Sequence, residues 1–391
     1  MKLLLIKALS DNHGYTEFIR ALGAALKALG HEPVITDQEP QVVNGAAPPD
    51  DLIRELQLAR YDAVVSFSSF FGAVTLQNGA ALYDHLGIRF LGWQLDHPIY
   101  APQSLTRGLA NRWSVYCNHN HLRFAEALKL PGRGTTILAG AEPDQGAAKP
   151  YRSRDWPVFI AAKFTGQPQA VWEGMEESAG KDLLKGVVSR LLGDREASLL
   201  DAFNGACADL GFEAKLGDDP EFDDQMIGFL REPLTYIRQV DRIAMVRALA
   251  ESGLPITLSG PGWRDFLGER ANVTFIDRWT DFADLSAAYG NAKVVINLNA
   301  GNGACERAVY AAAAGAAVVS DDSADLARQF AAGDEIAFYD RTQPSDVVAA
   351  VSRLLESDAG EAMAHAGQAK VLSSGLWRHR AEQMIAFLEA P

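Results

Sequence analysis

Short apolar runs alternating with amphipathic helical stretches, in two successive series, constrain this chain more than any other feature. In the first series, residues 2–8, 32–36, 63–67, 89–93 and 114–117 read as strands. Helical patterns fill the gaps at 15–29, 50–59, 76–86 and 121–129. In the first helix Phe18, Leu22, Ala25, Leu26 and Leu29 share one side, and Gly30 ends it. Strands that alternate with helices build βαβ units and hence a mainly parallel sheet.

Residues 139–157, AGAEPDQGAAKPYRSRDWP, break the pattern with Gly, Pro and charge and read as a linker. The second series opens with a strand at 158–162 and long helical stretches at 181–210 and 224–252. Strands follow at 256–259, 273–276, 293–298, 316–320 and 336–339. Helices are expected at 284–289, 305–314, near Leu326, and at 345–355, 361–372 and 376–388. The reading is α/β: two doubly wound, Rossmann-like lobes, 1–150 and 151–375, then a closing segment 376–391. Ligands of such sheets sit outside the carboxyl ends of the strands. The strand-end loops of both lobes are therefore expected to line one central cleft: 9–14, 68–73, 94–100, 163–168, 260–264, 277–280 and 299–304.

Composition narrows the function. Of 391 residues 48% are hydrophobic, enough apolar surface for two cores, and the formal net charge is −14. That balance opposes phosphate-backbone binding and a polybasic membrane anchor. Cys117, Cys207 and Cys305 lie far apart with no CxxC pair, so neither a disulfide framework nor a structural zinc site is expected. The opening MKLLLIKAL has an apolar run of only Leu3 to Ile6 and is expected to be a buried strand, in a cytoplasmic protein without a membrane span.

The clearest anion-binding pattern is the strand, glycine-rich loop and helix from Asn297 through Asn299, Gly301, Asn302 and Gly303 to Glu306 and Arg307. Glycines admit close backbone approach, and a helix N-terminus offers unpaired N–H groups to phosphate. An ordinary tight turn would look the same. In Ser259–Gly260–Pro261–Gly262–Trp263–Arg264, Trp263 offers a ring face and Arg264 a fixed charge, unless the tryptophan belongs to the core. Lys163 follows a strand and suits a diphosphate, or is a solvated surface lysine.

In the first lobe His13, with Asp11 beside it, could deprotonate an acceptor hydroxyl, while Asp11 or Asn12 could simply cap the helix. Asp96 and His97 follow the fourth strand and place a carboxylate beside an imidazole, stiffened by Pro98, as a second candidate pair for activating an acceptor hydroxyl, or form a plain polar turn. Asn118–His119–Asn120–His121 lacks ligand spacing and reads as a polar helix cap. No residue set is assigned to a metal.

The run from Tyr289 to Asn299, Glu306–Arg307–Ala308–Val309–Tyr310, Ala314–Gly315, the Gly260–Trp263 turn and the closing Leu376–Trp377–Arg378–His379–Arg380 resemble the CgeB-like glycosyltransferases, a GT-B branch. The resemblance covers about 155–388 well; in 1–140 it rests on the turn from Trp93 to Pro98. It implies a GT-B fold with a nucleotide-sugar donor on the C-terminal lobe. It further implies no required metal, an acceptor on the first lobe and a last helix returning to that lobe. It places the base near Ile276, Asp277, Arg278 and Trp279. One position departs. Ala311 stands where many relatives carry a glutamate facing the donor ribose, and Glu306 is the candidate substitute.

The expectation is a glycosyltransferase of hexosyl or N-acetylhexosaminyl type, without cofactor. Its co-substrate would be a UDP-linked sugar and its acceptor a protein or glycan. A nucleotide-sugar epimerase on the same fold, a bilobed binding protein and a scaffold without turnover are the alternatives.

Overall fold

The computed structural model describes residues 1–7, 14–37, 50–142, 148–194, 196–213, 215–278, 281–297 and 306–390. Two compact units emerge: Met1–Gly140 with Asp219–Asp223 and the segment from Leu376, and Ala141–Asp218 with Asp224–Gly375.

The first unit runs β1 (Lys2–Lys7), α1 (Gly14–Ala28), β2 (Glu32–Asp37), α2 (Asp50–Leu58), β3 (Ala63–Phe67), α3 (Leu82–Leu86), β4 (Arg89–Gln94), β5 (Arg112–Tyr116), α4 (His119–Ala127) and β6 (Arg133–Thr136). All pairings are parallel, in the order β2-β1-β3-β4-β5-β6. Leu4 lies opposite both Val34 and Val64. Leu4 and Ile6 pack with Leu52 and Leu56 of α2 and with Phe90 on one face. On the other, Leu5 and Ile35 lie so near Gly23 of α1 that an added Cβ would meet each at 3.2 Å.

Two expectations are corrected here. The helix foreseen at 76–86 is confined to α3, because residues 75 and 81 form an antiparallel bridge first. β6 was not foreseen: its RGTT sequence is polar, partly exposed and carries no apolar run.

The second unit continues with β7 (Trp156–Ala161), α5 (Ala179–Gly193), α6 (Leu199–Asp209), α7 (Pro220–Glu251), β8 (Ile256–Ser259), α8 (Trp263–Leu267), β9 (Val273–Ile276), α9 (Phe282–Asn291), β10 (Ala292–Asn297), α10 (Glu306–Ala313), β11 (Ala317–Asp321), α11 (Ala324–Gln329), β12 (Ala337–Tyr339), α12 (Ser345–Glu356) and α13 (Ala359–Ser374). The strand order is β12-β11-β10-β7-β8-β9, again all parallel. The helical stretch expected over 181–210 is divided into α5 and α6, where Ser198 caps α6 by accepting from the Asp201 N–H at 3.1 Å.

The strands alternate their side chains between faces. Val158, Ile160, Ile256, Leu258, Val294 and Ile296 pack with Met245, Val246 and Leu249 of α7 and Val347, Val351 and Leu354 of α12. Each fully buried aliphatic side chain contributes about 1.5–3 kcal/mol. Buried Arg154 secures the opposite end of the sheet. It donates to the carbonyls of Lys149 at 3.0 Å, Ala292 at 2.7 Å and Ala314 at 2.8 Å, the last two just beyond the C-termini of α9 and α10. A cation there complements both helix dipoles.

The last helix, α14 (Trp377–Glu389), belongs to the first unit. The Trp377 ring lies 5.5 Å from Phe18, 5.9 Å from Phe67 and 5.7 Å from Trp93. Gly140 must be small here: a Cβ would come within 2.7 Å of the Trp377 nitrogen.

Candidate functional site

In the second unit the carboxyl ends of β7 and β8 are stitched together. Ala162 N–H donates to the Ser259 carbonyl at 2.9 Å, and Phe164 N–H to that of Pro261 at 3.2 Å. Gly260 sits at φ +137°, where a Cβ would be 2.1 Å from the Ala162 oxygen, so glycine alone closes this turn. Gly262, at φ +88°, starts α8.

Of the two readings of Trp263, open ring face or core tryptophan, the geometry selects the core. The residue is 0% exposed, its Nε1–H donates to the Ala162 carbonyl at 2.7 Å, and its ring packs 5.1 Å from that of Phe164. The two positive-φ glycines turn the chain back so that α8 buries its first side chain.

The Arg264 charge is also committed. Its Nε donates to Asp277 at 2.5 Å, its Nη1 bonds Glu269, and its guanidinium lies 4.9 Å from the Phe275 ring centre. Arg278 pairs with Asp284 at 2.9 Å on the surface. Arg278 and Asp284 edge a pocket of about 360 Å³ whose lining includes Trp156, Phe159, Ser259 and Ile276. Lys163 is exposed, and its carbonyl accepts from Arg242 at 3.1 Å.

Glu306 and Arg307 begin α10, both half-buried. Tyr310, one turn on, is buried and meets the Phe282 ring edge-on at 4.9 Å. Ala311 is 0% exposed, so the position matching the ribose-facing glutamate is a sealed methyl. Trp279, Asn299, Gly301, Asn302 and Gly303 lie outside the described residues, as does His13.

Sequence reasoning missed a buried polar row at the ends of β10 and β11. Asn297 Nδ2 donates to Ser320 Oγ at 2.9 Å, and Ser320 Oγ donates to Asp321 Oδ1 at 3.2 Å. The signal was available: each of two apolar strands ends in a polar residue, VVIN and AVVSD.

In the first unit Asp96 is half-buried, and its Oδ2 accepts from the Tyr15 hydroxyl at 3.3 Å. His97 differs from its expected part. It is 3% exposed, its Nδ1 accepts from the Ile99 N–H at 3.2 Å, and its ring packs 4.8 Å from both His121 and Phe124. That nitrogen caps a turn, which removes it as a proton acceptor. Asn118 Oδ1 accepts from Asn120 N–H at 2.6 Å and caps α4.

Beyond β3 the chain holds Ser68, Ser69 and Phe71 at positive φ. Gly92 of β4 makes room for this loop, since a Cβ there would collide with Ser69 Oγ at 1.9 Å. Gln94 Nε2 donates to the same Oγ at 2.5 Å. Non-glycine residues in this region store strain of about 1–3 kcal/mol each, a pattern that clusters at ligand-binding loops. Among the described residues no group of three or more His, Cys, Asp or Glu could hold a metal ion, and no helix is long and apolar enough to cross a membrane.

Residues 238–386 match the Glycosyl transferase-like family. A search of curated protein sequences gives no match. Among solved structures, the sucrose-phosphate synthase of Thermosynechococcus elongatus aligns with TM-score 0.56 at 13% identity, over 98% of this chain and 97% of that one. Anabaena HepE in complex with UDP-glucose aligns with TM-score 0.55 at 11% identity, over 99% of both chains. A Rickettsia africae glycosyltransferase gives TM-score 0.54 at 9% identity, over 99% of this chain and 97% of that one. The chain thus has the GT-B fold, and residues 238–386 within it resemble the Glycosyl transferase-like family.

Proposed function

We propose that this protein transfers a sugar from a nucleotide-sugar donor, bound on the second lobe, to an acceptor hydroxyl on the first. The Glycosyl transferase-like match over 238–386 carries the reading, because it contains β10, α10 and the segment between them. A UDP-linked donor is favoured by the Anabaena neighbour solved with UDP-glucose. Within this reading the chain is CgeB-like and works without a metal. Lys163, Arg307 and the start of α10 oppose the charge of the leaving diphosphate as it develops. Arg264 and Arg278 are held by carboxylates and serve the loop between β9 and α9 instead. Asp96 is the acceptor-side base, oriented by Tyr15.

A thermal-shift series against UDP, GDP, ADP, dTDP and CMP sugars tests this. A ligand of the folded state stabilises by about 2.7 kcal/mol at a hundredfold excess over Kd. A selective response to one nucleotide class, followed by sugar transfer from it, is expected. No response to any class would sink the reading. Conversion of the donor alone into a second nucleotide sugar would make the protein an epimerase.

A further inference from the structure

Four arginines are buried among the described residues: Arg112, Arg154, Arg341 and Arg380. A buried guanidinium is tolerated when its donors are taken up. Arg154 gives its hydrogens to main-chain carbonyls. Arg341 pairs with Asp241 and two carbonyls. Arg112 is held by the carbonyls of Ser104 and Thr106, with its Nε unused.

Arg380 is satisfied least. Its Nε reaches the Ala139 carbonyl and its Nη1 the Gln383 Oε1, each at a long 3.3 Å. Among the described residues its Nη2 has no partner, although only 5% of the residue is exposed. Burial lowers the guanidinium to about 10, still charged at neutral pH, and only Cys117 offsets that burial; no carboxylate does.

Its placement is equally unusual. Arg378, His379 and Arg380 lie in the first turn of α14, which has no acidic residue. Cations at a helix N-terminus oppose its dipole, at about 0.3–1 kcal/mol each, so helix stability does not account for Arg378 and Arg380. His379 does serve the helix: its Nδ1 accepts from the Leu376 N–H at 3.1 Å, and burial holds its pKa below the usual range. Cys117 and Ala139 follow β5 and β6, at the carboxyl ends of parallel strands where such sheets take ligands. Cys117 N–H donates to the Gln94 carbonyl at 3.1 Å, so this corner adjoins the end of β4, two residues before Asp96.

We propose that Arg380, with the charge of Arg378 in the same helical turn, seats an oxyanion on the first lobe, a phosphate or carboxylate group carried by the acceptor. The inference rests on the transferase reading for the word acceptor, and on the structure of the first lobe for the site. An oxyanion takes the Nη2 hydrogens that no described residue accepts, in the forked geometry a guanidinium favours. In a chain of net charge −14, a local cationic turn also draws an anionic substrate to one corner. Fixing the charged end of the acceptor there leaves its hydroxyl to be presented to Asp96.

The test uses the full-length protein with UDP in saturating amount, so that a phosphate probe reports a second site. Inorganic phosphate and acetate are titrated separately, followed by thermal shift. Saturable binding of one of them is expected, weakened about tenfold or more in Arg380→Gln and less in Arg380→Lys, as for loss of a charge-assisted bond. Phosphate alone identifies a phosphate ester as the acceptor group, and acetate alone a carboxylate. Should Arg380→Gln not fold, Arg380→Lys and Arg378→Gln carry the comparison. Absence of saturable binding for both probes, or binding kept within twofold in the folded variants, overturns the site. Oxyanion binding through Arg380 in a protein that ignores UDP would keep the site and sink the transferase reading.

Discussion

The indole Nε1–H of Trp263 donates to the carbonyl oxygen of Ala162 at 2.7 Å, locking the first turn of α8 to the end of β7. This bond is buried and joins the segment after β7 to the start of α8. Trp263→Phe keeps most of the packing and leaves that carbonyl without its indole donor, a cost of about 1–3 kcal/mol. Trp263→Ala adds a cavity and should cost about 3–5 kcal/mol. Urea unfolding of both variants measures this. Wild-type stability in Trp263→Ala would restore the tryptophan to the surface.

Gly260 makes the same junction possible. Its φ of +137° and the 2.1 Å approach of a hypothetical Cβ to the Ala162 oxygen leave no room for alanine. Gly260→Ala is expected to lower the unfolding free energy by more than the roughly 1 kcal/mol of an ordinary glycine substitution. It should also weaken nucleotide affinity. Gly333→Ala, also at positive φ but with nothing near its Cβ, is the control for backbone strain alone. Equal losses in the two would show that the Ala162 contact is unimportant.

The two-sheet fold was legible because alternation of apolar strands and helices is a local signal, repeated in both halves. What escaped was set by neighbours distant in sequence. β6 is polar and becomes a strand only by pairing beside Trp113 and Tyr116. Trp263 reads as a loop residue until the positive-φ glycines fold it inward. His97 and Asp96 are adjacent in sequence, yet the turn caps itself with one and leaves the other half-exposed. The seat of Arg380 depends on the Ala139 carbonyl, 241 positions away, and has no sequence signature.

Asp241 gives a pH prediction. It bonds Arg341 at 3.0 Å, but burial outweighs that attraction and pushes its carboxyl up to about 6 from 3.8. The folded state therefore binds this proton more tightly than the unfolded chain. The contribution is fully present below about 3.8 and is lost as pH rises through about 6. The stability difference between wild type and Asp241→Asn should accordingly grow in favour of wild type as pH falls from 7 to 4.5. Urea titrations of both proteins at the two pH values measure it. A difference that stays flat or shrinks on acidification would show that Asp241 is ionised throughout.

Asp96 and His97 are expected to separate cleanly in kinetics and stability. Asp96 is half-buried just beyond the carboxyl end of β4, and its Oδ2 accepts from the Tyr15 hydroxyl at 3.3 Å. A positioned base contributes about 10²–10⁴-fold to a rate. Asp96→Asn should therefore lower kcat by at least a hundredfold, on the order of that lower bound, while donor affinity and unfolding free energy change little. Tyr15→Phe removes only the orienting bond and should cost far less. His97→Ala should act in the opposite sense. It deletes a buried ring from contact with His121 and Phe124 and frees the Ile99 N–H, so stability falls by about 1–3 kcal/mol and kcat per folded molecule holds. The measurement is kcat for each variant with one donor and one acceptor, normalised to the folded fraction. Undiminished turnover in Asp96→Asn would remove the carboxylate from the chemistry. His13, or the donor phosphate with its own charge, would then be the remaining base, and turnover of His13→Ala separates the two.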